Sequence, residues 1–262
     1  MTNAHGSFIW YELLTGDVAA AKAFYDDVVG WHIEAEAPPG GMDYRMIKTG
    51  SDHAGGVMEL NADMIAGGAK PVWLGYFGVD DVDASAAAIA ADGGTVHLPP
   101  FDIPGIGRLA MLSDPQGIPF YIMRGASPEF STAYQRTGMK HVSWNELLAL
   151  DEAAAVAFYR KHFALTKVGG MPMGPMGEYS FIANGDSAGD PVGAIMRTPD
   201  GAASGWGFYF RVPDIHEAKA RVEARGGTIV QEPQEVPGGE WVLNAIDPEG
   251  VPFGLVAPGA GA

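Results

Sequence analysis

The 262-residue sequence contains no cysteine. Disulfides and thiolate metal sites are therefore excluded. No apolar run approaches the roughly 20 residues of a membrane-spanning helix, so no membrane association is expected. The N-terminus lacks the basic start and apolar core of a signal peptide, and the expectation is a soluble, cytoplasmic protein. Basic residues are scarce: 16 Lys and Arg stand against 32 Asp and Glu, a formal net charge of −16. That argues against nucleic acid, whose phosphates need basic partners. The general field favours neutral or cationic ligands. An acidic surface also serves solubility alone.

What the sequence does contain is a repeat. Trp10-Tyr11-Glu12-Leu13-Leu14, followed by Phe24-Tyr25, returns 134 residues later as Trp144-Asn145-Glu146-Leu147-Leu148, followed by Phe158-Tyr159. Asp114-Pro115-Gln116-Gly117 returns 133 residues later as Asp247-Pro248-Glu249-Gly250, and Gly93-Gly94-Thr95 as Gly226-Gly227-Thr228. A fixed period of this length means two copies of one domain. The boundaries expected are 1–125 for the first, 126–138 for a linker and 139–262 for the second.

Each copy reads as two units of one order. Phe8 to Leu14 alternates as a strand, with Phe8, Trp10, Glu12 and Leu14 on one face. Asp17 caps a helix whose apolar stripe is Val18, Ala21, Phe24, Tyr25 and Val28, and Gly30 closes it. Strands follow at Trp31 to Glu36, Tyr44 to Thr49 and Gly56 to Leu60, separated by Pro38-Pro39-Gly40-Gly41 and Gly50-Ser51-Asp52. The second unit has a strand at Val72 to Val79, a cap at Asp81 and a helix from Val82 to Ala91. Its later strands are Thr95 to Leu98, Arg108 to Leu112 and Ile118 to Met123, with Asp114-Pro115-Gln116-Gly117 as a hairpin turn. The second half repeats the plan, with helices from Glu152 to about Phe163 and from Ile215 to Arg225. The fold class is α+β, with four βαβββ units.

This order resembles the vicinal oxygen chelate superfamily, which includes glyoxalase I, bleomycin resistance proteins and extradiol dioxygenases. Phe24-Tyr25 inside the first helix, Gly30-Trp31 after it, Val79-Asp80-Asp81-Val82-Asp83, and Asp-Pro-x-Gly before the last strand carry the likeness. It spans nearly the whole chain. In closer detail the chain looks like a two-domain actinobacterial branch with Trp-x-Asp/Glu-Leu in the first strand. The resemblance implies two tandem glyoxalase-like domains, whose mixed sheets curl into cups that hold a ligand. It also implies, in the family's metalloenzymes, His, Gln or Glu ligands for a divalent ion. Carried over, those positions fall on Trp10, at or beside Glu59, Leu74 and Tyr121 in the first half. In the second they fall on Trp144, Met196, Gly207 and Gly254. A divalent site wants three or four converging N or O ligands, and only Glu59 could serve. Neither a metal nor another cofactor is expected. His5, His32, His53, His97, His141, His162 and His216 do not repair this, since no pair has ligand spacing. His97 alone sits in an apolar strand where it could point inward.

On the presumed cup face, Glu12 accompanies Trp10 and Glu146 accompanies Trp144. A carboxylate against an indole can hold a cationic or hydrogen-bonding ligand, act as a base if desolvation raises its pKa, or serve structure by pairing with backbone N–H or Arg. Arg108, whose counterpart is Trp241, is a candidate partner for Glu12 or for an anionic ligand. Tyr44, Tyr76, Phe120 and Tyr121 are candidate lining of the first cup, and Tyr179, Phe208, Tyr209 and Phe253 of the second. Strand aromatics also commonly belong to the core. The Met-rich stretch Gly169 to Gly177 reads as an adaptable flap or as a loose loop.

The ligand-binding candidates are thus Trp10, Glu12, Tyr44, Tyr76, Arg108, Tyr121, Trp144, Glu146, Tyr179 and Tyr209. The expected function is metal-free binding of a small organic ligand, cations among the candidates, by a monomer. The alternatives are a glyoxalase-type lyase or isomerase, a dioxygenase-like enzyme on a small carbonyl or aromatic compound, and an interaction protein with closed cups.

Overall fold

The computed structural model describes residues 3–37, 43–50, 52–185 and 190–259. The expected turn at Pro38 to Gly41 lies outside them, as does Ser51. The first half gives β1 (Phe8–Thr15), α1 (Val18–Val28), β2 (His32–Ile33), β3 (Tyr44–Lys48), β4 (His53–Glu59), the short α2 (Ala62–Ala66), β5 (Val72–Gly78), α3 (Val82–Ala91), β6 (Thr95–Ile103), β7 (Gly107–Ser113) and β8 (Pro119–Gly125). The second gives β9 (Val142–Ala149), α4 (Glu152–Phe163), β10 (Leu165–Pro172), β11 (Glu178–Asn184), β12 (Gly193–Arg197), β13 (Gly205–Arg211), α5 (Ile215–Ala224), β14 (Thr228–Glu235), β15 (Trp241–Ile246) and β16 (Pro252–Ala257). The strands form two eight-stranded mixed sheets, in the orders β2-β3-β4-β1-β5-β8-β7-β6 and β10-β11-β12-β9-β13-β16-β15-β14.

The same local chemistry starts each main helix. Asp17, Asp81, Asp151 and Asp214 sit in extended conformation as N-caps, and their carboxylates accept from Ala20 N, Ala84 N, Ala154 N and Glu217 N. Each satisfies an amide that the helix itself leaves without a partner. β2 is shorter than its apolar pattern suggests. β6 is longer, running through Pro99 and Pro100. Proline is tolerated there because β6 is an edge strand, where one row of amides needs no ladder partner. The short helix α2 is an addition to the expected plan, capped by Asn61 through Met64 N.

The chain divides into two compact units, Met1–Ile9 with Leu74–Ser131 and Asn145–Trp206, and Trp10–Trp73 with Thr132–Trp144 and Gly207–Ala262. Each takes one strand–helix–strand module from each half of the sequence. The second of these is built on Tyr25, which is fully buried. Its ring packs edge-on to Trp73, Phe210 and Phe253. Its hydroxyl accepts from Trp73 Nε1 at 2.9 Å and donates to Asp247 Oδ2 at 3.0 Å. Asp247 Oδ1 accepts from Glu249 N and Val251 N, both at 2.9 Å, which closes the Asp-Pro-Glu-Gly turn. The other unit repeats the arrangement around Tyr159. Trp206 Nε1 donates to its hydroxyl at 3.1 Å, the hydroxyl donates to Asp114 Oδ2 at 3.3 Å, and Asp114 Oδ1 accepts from Gln116 N and Ile118 N. Phe77, Phe120 and Phe163 pack round that tyrosine.

Burial raises both tyrosine pKa values well above normal, and the nearby aspartate adds to the shift. The hydroxyls thus stay protonated and available to donate. Tyr25→Phe leaves Asp247 one bond short and the Trp73 N–H without its acceptor. We expect a loss of about 1–3 kcal/mol of stability, measured by urea unfolding, and the same for Tyr159→Phe. An unchanged midpoint in either variant would contradict the assignment.

Burial also pushes the Asp114 and Asp247 carboxyls above their ordinary value, against the opposing pull of the backbone N–H bonds. A raised folded-state pKa means that the fold binds the proton more tightly than the unfolded chain does. The resulting stabilisation is complete below the ordinary value of 3.8 and is lost as pH rises through the raised one. The wild type should therefore lose stability relative to Asp247→Asn as pH climbs through that window. Unfolding curves at stepped pH test this, and a constant difference between the two proteins would refute it.

Candidate functional site

In the unit built on Tyr25, β1 places alternate residues on opposite sides. Tyr11 and Leu13 are core residues, with Tyr11 edge-on to Phe208. Trp10 is half-buried, and Glu12 is only 2% exposed. Glu12 pairs in register with Gly56 of β4. A Cβ on Gly56 would overlap the Tyr44 ring, so that ring lies directly over the glycine. Trp10 Nε1 donates to Tyr44 Oη at 2.6 Å. Trp10, Glu12 and Tyr44 thus gather around a position that has no side chain of its own. On β13, Tyr209 covers Gly254 of β16 in the same manner, as its partner in register. Trp144 is half-buried, with the Arg136 guanidinium 5.4 Å from its ring centre.

In the unit built on Tyr159, Glu146 of β9 pairs in register with Ala194 of β12. It accepts from Tyr179 Oη at 2.7 Å. Phe181 stands beside Tyr179 on β11, its ring centre 5.7 Å away. The two carboxylates are therefore not equivalent. Glu12 is buried, whereas Glu146 is half-buried and tied to a phenol. Tyr76 and Tyr121 are buried and stacked at 4.3 Å with planes 14° apart.

Several expectations are corrected. Arg108 belongs to neither group. Its guanidinium binds Asp83 on the first turn of α3 and Asp102 on β6, and both contacts hold its pKa up. Phe120, Phe208 and Phe253 are core residues, packed on Tyr159, Tyr11 and Tyr25. Phe120 precedes Tyr121, and neighbours on a strand face opposite sides. His97 is exposed and meets the Ser113 hydroxyl at 3.0 Å. His162 is buried on α4 against Asp92, and His53 starts β4. His141 is buried beside Thr49, with its pKa lowered chiefly by burial. The Met-rich stretch is not a loose flap. Gly169 to Pro172 continues β10, paired with β11, and only Gly174–Met176 at the tip forms a 3-10 turn. Sequence reasoning did not single out Arg136, Arg211 or Glu240. Their convergence comes from the segment before β9, the end of β13 and the turn before β15, and no motif signals it.

The positions that the resemblance assigns to metal ligands do not fit a divalent ion. Trp10 offers only an N–H donor, which Tyr44 already receives. Leu74 and Met196 are buried apolar residues, and Glu59 is exposed at the end of β4. Gly254 lies under Tyr209. Among the described residues no three His, Cys, Asp or Glu side chains lie close enough to hold a metal. Nor, among them, is any helix long and apolar enough to cross a membrane.

The family model of the Glyoxalase/Bleomycin resistance protein/Dioxygenase superfamily matches residues 7–122 and again 138–255. The chain belongs to this superfamily. It is 31% identical over 250 residues to "Putative glyoxylase CFP32" of Mycobacterium tuberculosis, covering 95% of this chain and 94% of that one. It is 27% identical over 263 residues to "Anthracycline biosynthesis protein DauV" of Streptomyces sp. strain C5, covering 97% and 94%. Solved structures share the fold. The Mn(II)-bound glyoxalase from Novosphingobium aromaticivorans has a TM-score of 0.64 at 18% identity, covering 97% of this chain and 82% of that one. The 2,2',3-trihydroxybiphenyl 1,2-dioxygenase from Sphingomonas wittichii RW1 has a TM-score of 0.68 at 12% identity, covering 98% and 91%. The tandem architecture and the α+β class read from the repeat stand with the superfamily assignment.

Gly56→Ala should displace the Tyr44 ring and break its bond to Trp10. The expected cost is about 1–3 kcal/mol, typical of overpacking, with a shift in tryptophan emission as the Trp10 indole loses its partner. A variant with wild-type emission and stability would show that Tyr44 does not lie over Gly56.

Proposed function

We propose that the chain is a small-molecule-binding member of its superfamily that works without a metal. The ligand meets the Trp10–Glu12–Tyr44 group and, separately, the Glu146–Tyr179 group. The observation that carries this reading is the gathering of an indole, a phenol and a buried carboxylate around Gly56, beside metal-ligand positions of which Trp10 and Leu74 offer no donor lone pair. An indole supplies a flat apolar face, and a buried carboxylate takes a cation or a hydrogen-bond donor. The ligand class that matches is a flat organic molecule with an amine or hydroxyl at its edge. The name of the DauV relative, which places that protein in anthracycline biosynthesis, is consistent with a polycyclic aromatic ligand of this kind.

A glyoxalase-type or dioxygenase-like enzyme is the second reading. The name of the mycobacterial relative and the fold shared with the Mn(II)-bound glyoxalase favour it. A metal-dependent version of that chemistry lacks fitting donors here. We also propose that the chain works as a monomer, since its net charge of −16 opposes self-association. Light scattering at two concentrations checks this.

The binding reading is tested with Glu12→Gln and Glu146→Gln, which keep side-chain shape and remove charge. A set of aromatic amines, tryptamine among them, is screened by thermal shift and titrated calorimetrically. Each substitution should weaken the amines that use its group by about 1.5–3 kcal/mol, the worth of a charge-assisted hydrogen bond. Amines that bind both variants as tightly as the wild type would remove these carboxylates from the site.

A further inference from the structure

A groove of about 720 Å³ opens in the unit built on Tyr25. It lies where the end of β13, the turn before β15 and the residues after β16 meet. Arg136, Arg211, Glu240, Trp241, Gly239 and Gly259 are among its walls. Its size falls within the range of small-molecule sites. A Cβ on Gly259 would overlap the Gly239 carbonyl, so the two segments touch directly and the wall there is bare backbone.

The charge is unusual for so acidic a chain. Two guanidiniums share one half-buried carboxylate: Arg136 Nη2 reaches Glu240 Oε2 at 2.6 Å, and Arg211 Nη1 reaches Oε1 at 2.5 Å. Burial alone would raise the Glu240 carboxyl, but the hydrogen bonds from Arg136 and Arg211 outweigh it and hold the pKa below normal. Glu240 is therefore ionised and cancels one of the two positive charges. Glu235 also borders the groove, but it is exposed, so water and salt screen it. The Arg211 side chain is 7% exposed, and among the described residues its buried Nε has no hydrogen-bond partner. A buried guanidinium N–H left without an acceptor is costly and points to a ligand. The Trp241 indole, half-exposed, also lines the groove.

We propose that this groove binds a small organic anion, a carboxylate on a flat ring. Its oxygens pair with Arg136 and Arg211, and its ring lies along Trp241. A planar guanidinium matches a carboxylate in two parallel bonds, and the indole supplies the surface for the ring. This site is independent of the groups around Glu12 and Glu146, which call for a ligand of opposite charge.

The test uses 4-fluorobenzoate, followed by fluorine NMR in a chloride buffer free of other carboxylates. Its resonance should broaden and shift on adding the full-length protein. The neutral isostere 4-fluorobenzamide should bind roughly tenfold more weakly, because it cannot make the charged pair. Arg136→Gln, at a partly exposed position, should weaken 4-fluorobenzoate roughly tenfold with little change in melting temperature. Arg211→Lys should do the same where the variant melts cooperatively. Glu240→Gln removes the competing carboxylate and should tighten binding. The proposal is overturned by absence of broadening, by equal binding of benzamide and benzoate, or by unchanged affinity in Arg136→Gln.

Discussion

A buried tyrosine hydroxyl, held between a tryptophan N–H and an aspartate, is the bond on which each compact unit depends. Tyr25 and Asp247 are 222 residues apart and Tyr159 and Asp114 are 45 apart, yet the geometry is the same. It accounts for the two motifs that recur in the sequence. Phe-Tyr sits on the helix because its tyrosine must reach the acid. Asp-Pro-x-Gly recurs because one carboxylate must both close its own turn and receive that hydroxyl. The x residue also contributes. Gln116 bonds the backbone of Asp151 in one unit, and Glu249 bonds Thr15 and Gly16 in the other. Desolvating an aspartate is costly, and here three hydrogen bonds offset it in each unit.

This anchoring on the helix side leaves the opposite sides of β1 and β9 to other work. There the two repeats diverge. Around Gly56 the tyrosine is bound by Trp10. Around Ala194 the equivalent tyrosine is bound by Glu146. The same strand position thus holds a buried carboxylate in one module and a half-buried, phenol-bound one in the other. Two copies of one module can in this way present two different surfaces without altering the core.

Much of the architecture was legible because local rules and the global fold agree. Asp17, Asp81 and the apolar stripe of α1 marked the first two main helices, and the period revealed the duplication that carries the plan to α4 and α5. What sequence could not supply was strand phase and long-range pairing. Phe120 and Tyr121 both suited a ligand wall, but adjacent strand residues point apart, and the Tyr159 core took Phe120. Arg108 suited Glu12 by charge, yet Asp83 and Asp102 were nearer in the fold. Arg136, Arg211 and Glu240 carry no motif, since they come from three segments that only folding brings together. The Trp-x-Glu pairs were legible as ligand candidates because alternation along a strand puts an indole and a carboxylate on one face.

The central proposal is that this superfamily member binds an organic ligand without a metal. Elemental analysis by inductively coupled plasma mass spectrometry, on protein purified without chelator and then melted with and without EDTA, tests it most directly. The account predicts well under one equivalent of any transition metal or magnesium and the same melting temperature in both conditions. One tightly held equivalent per chain, removed by EDTA with a fall in melting temperature, would contradict it.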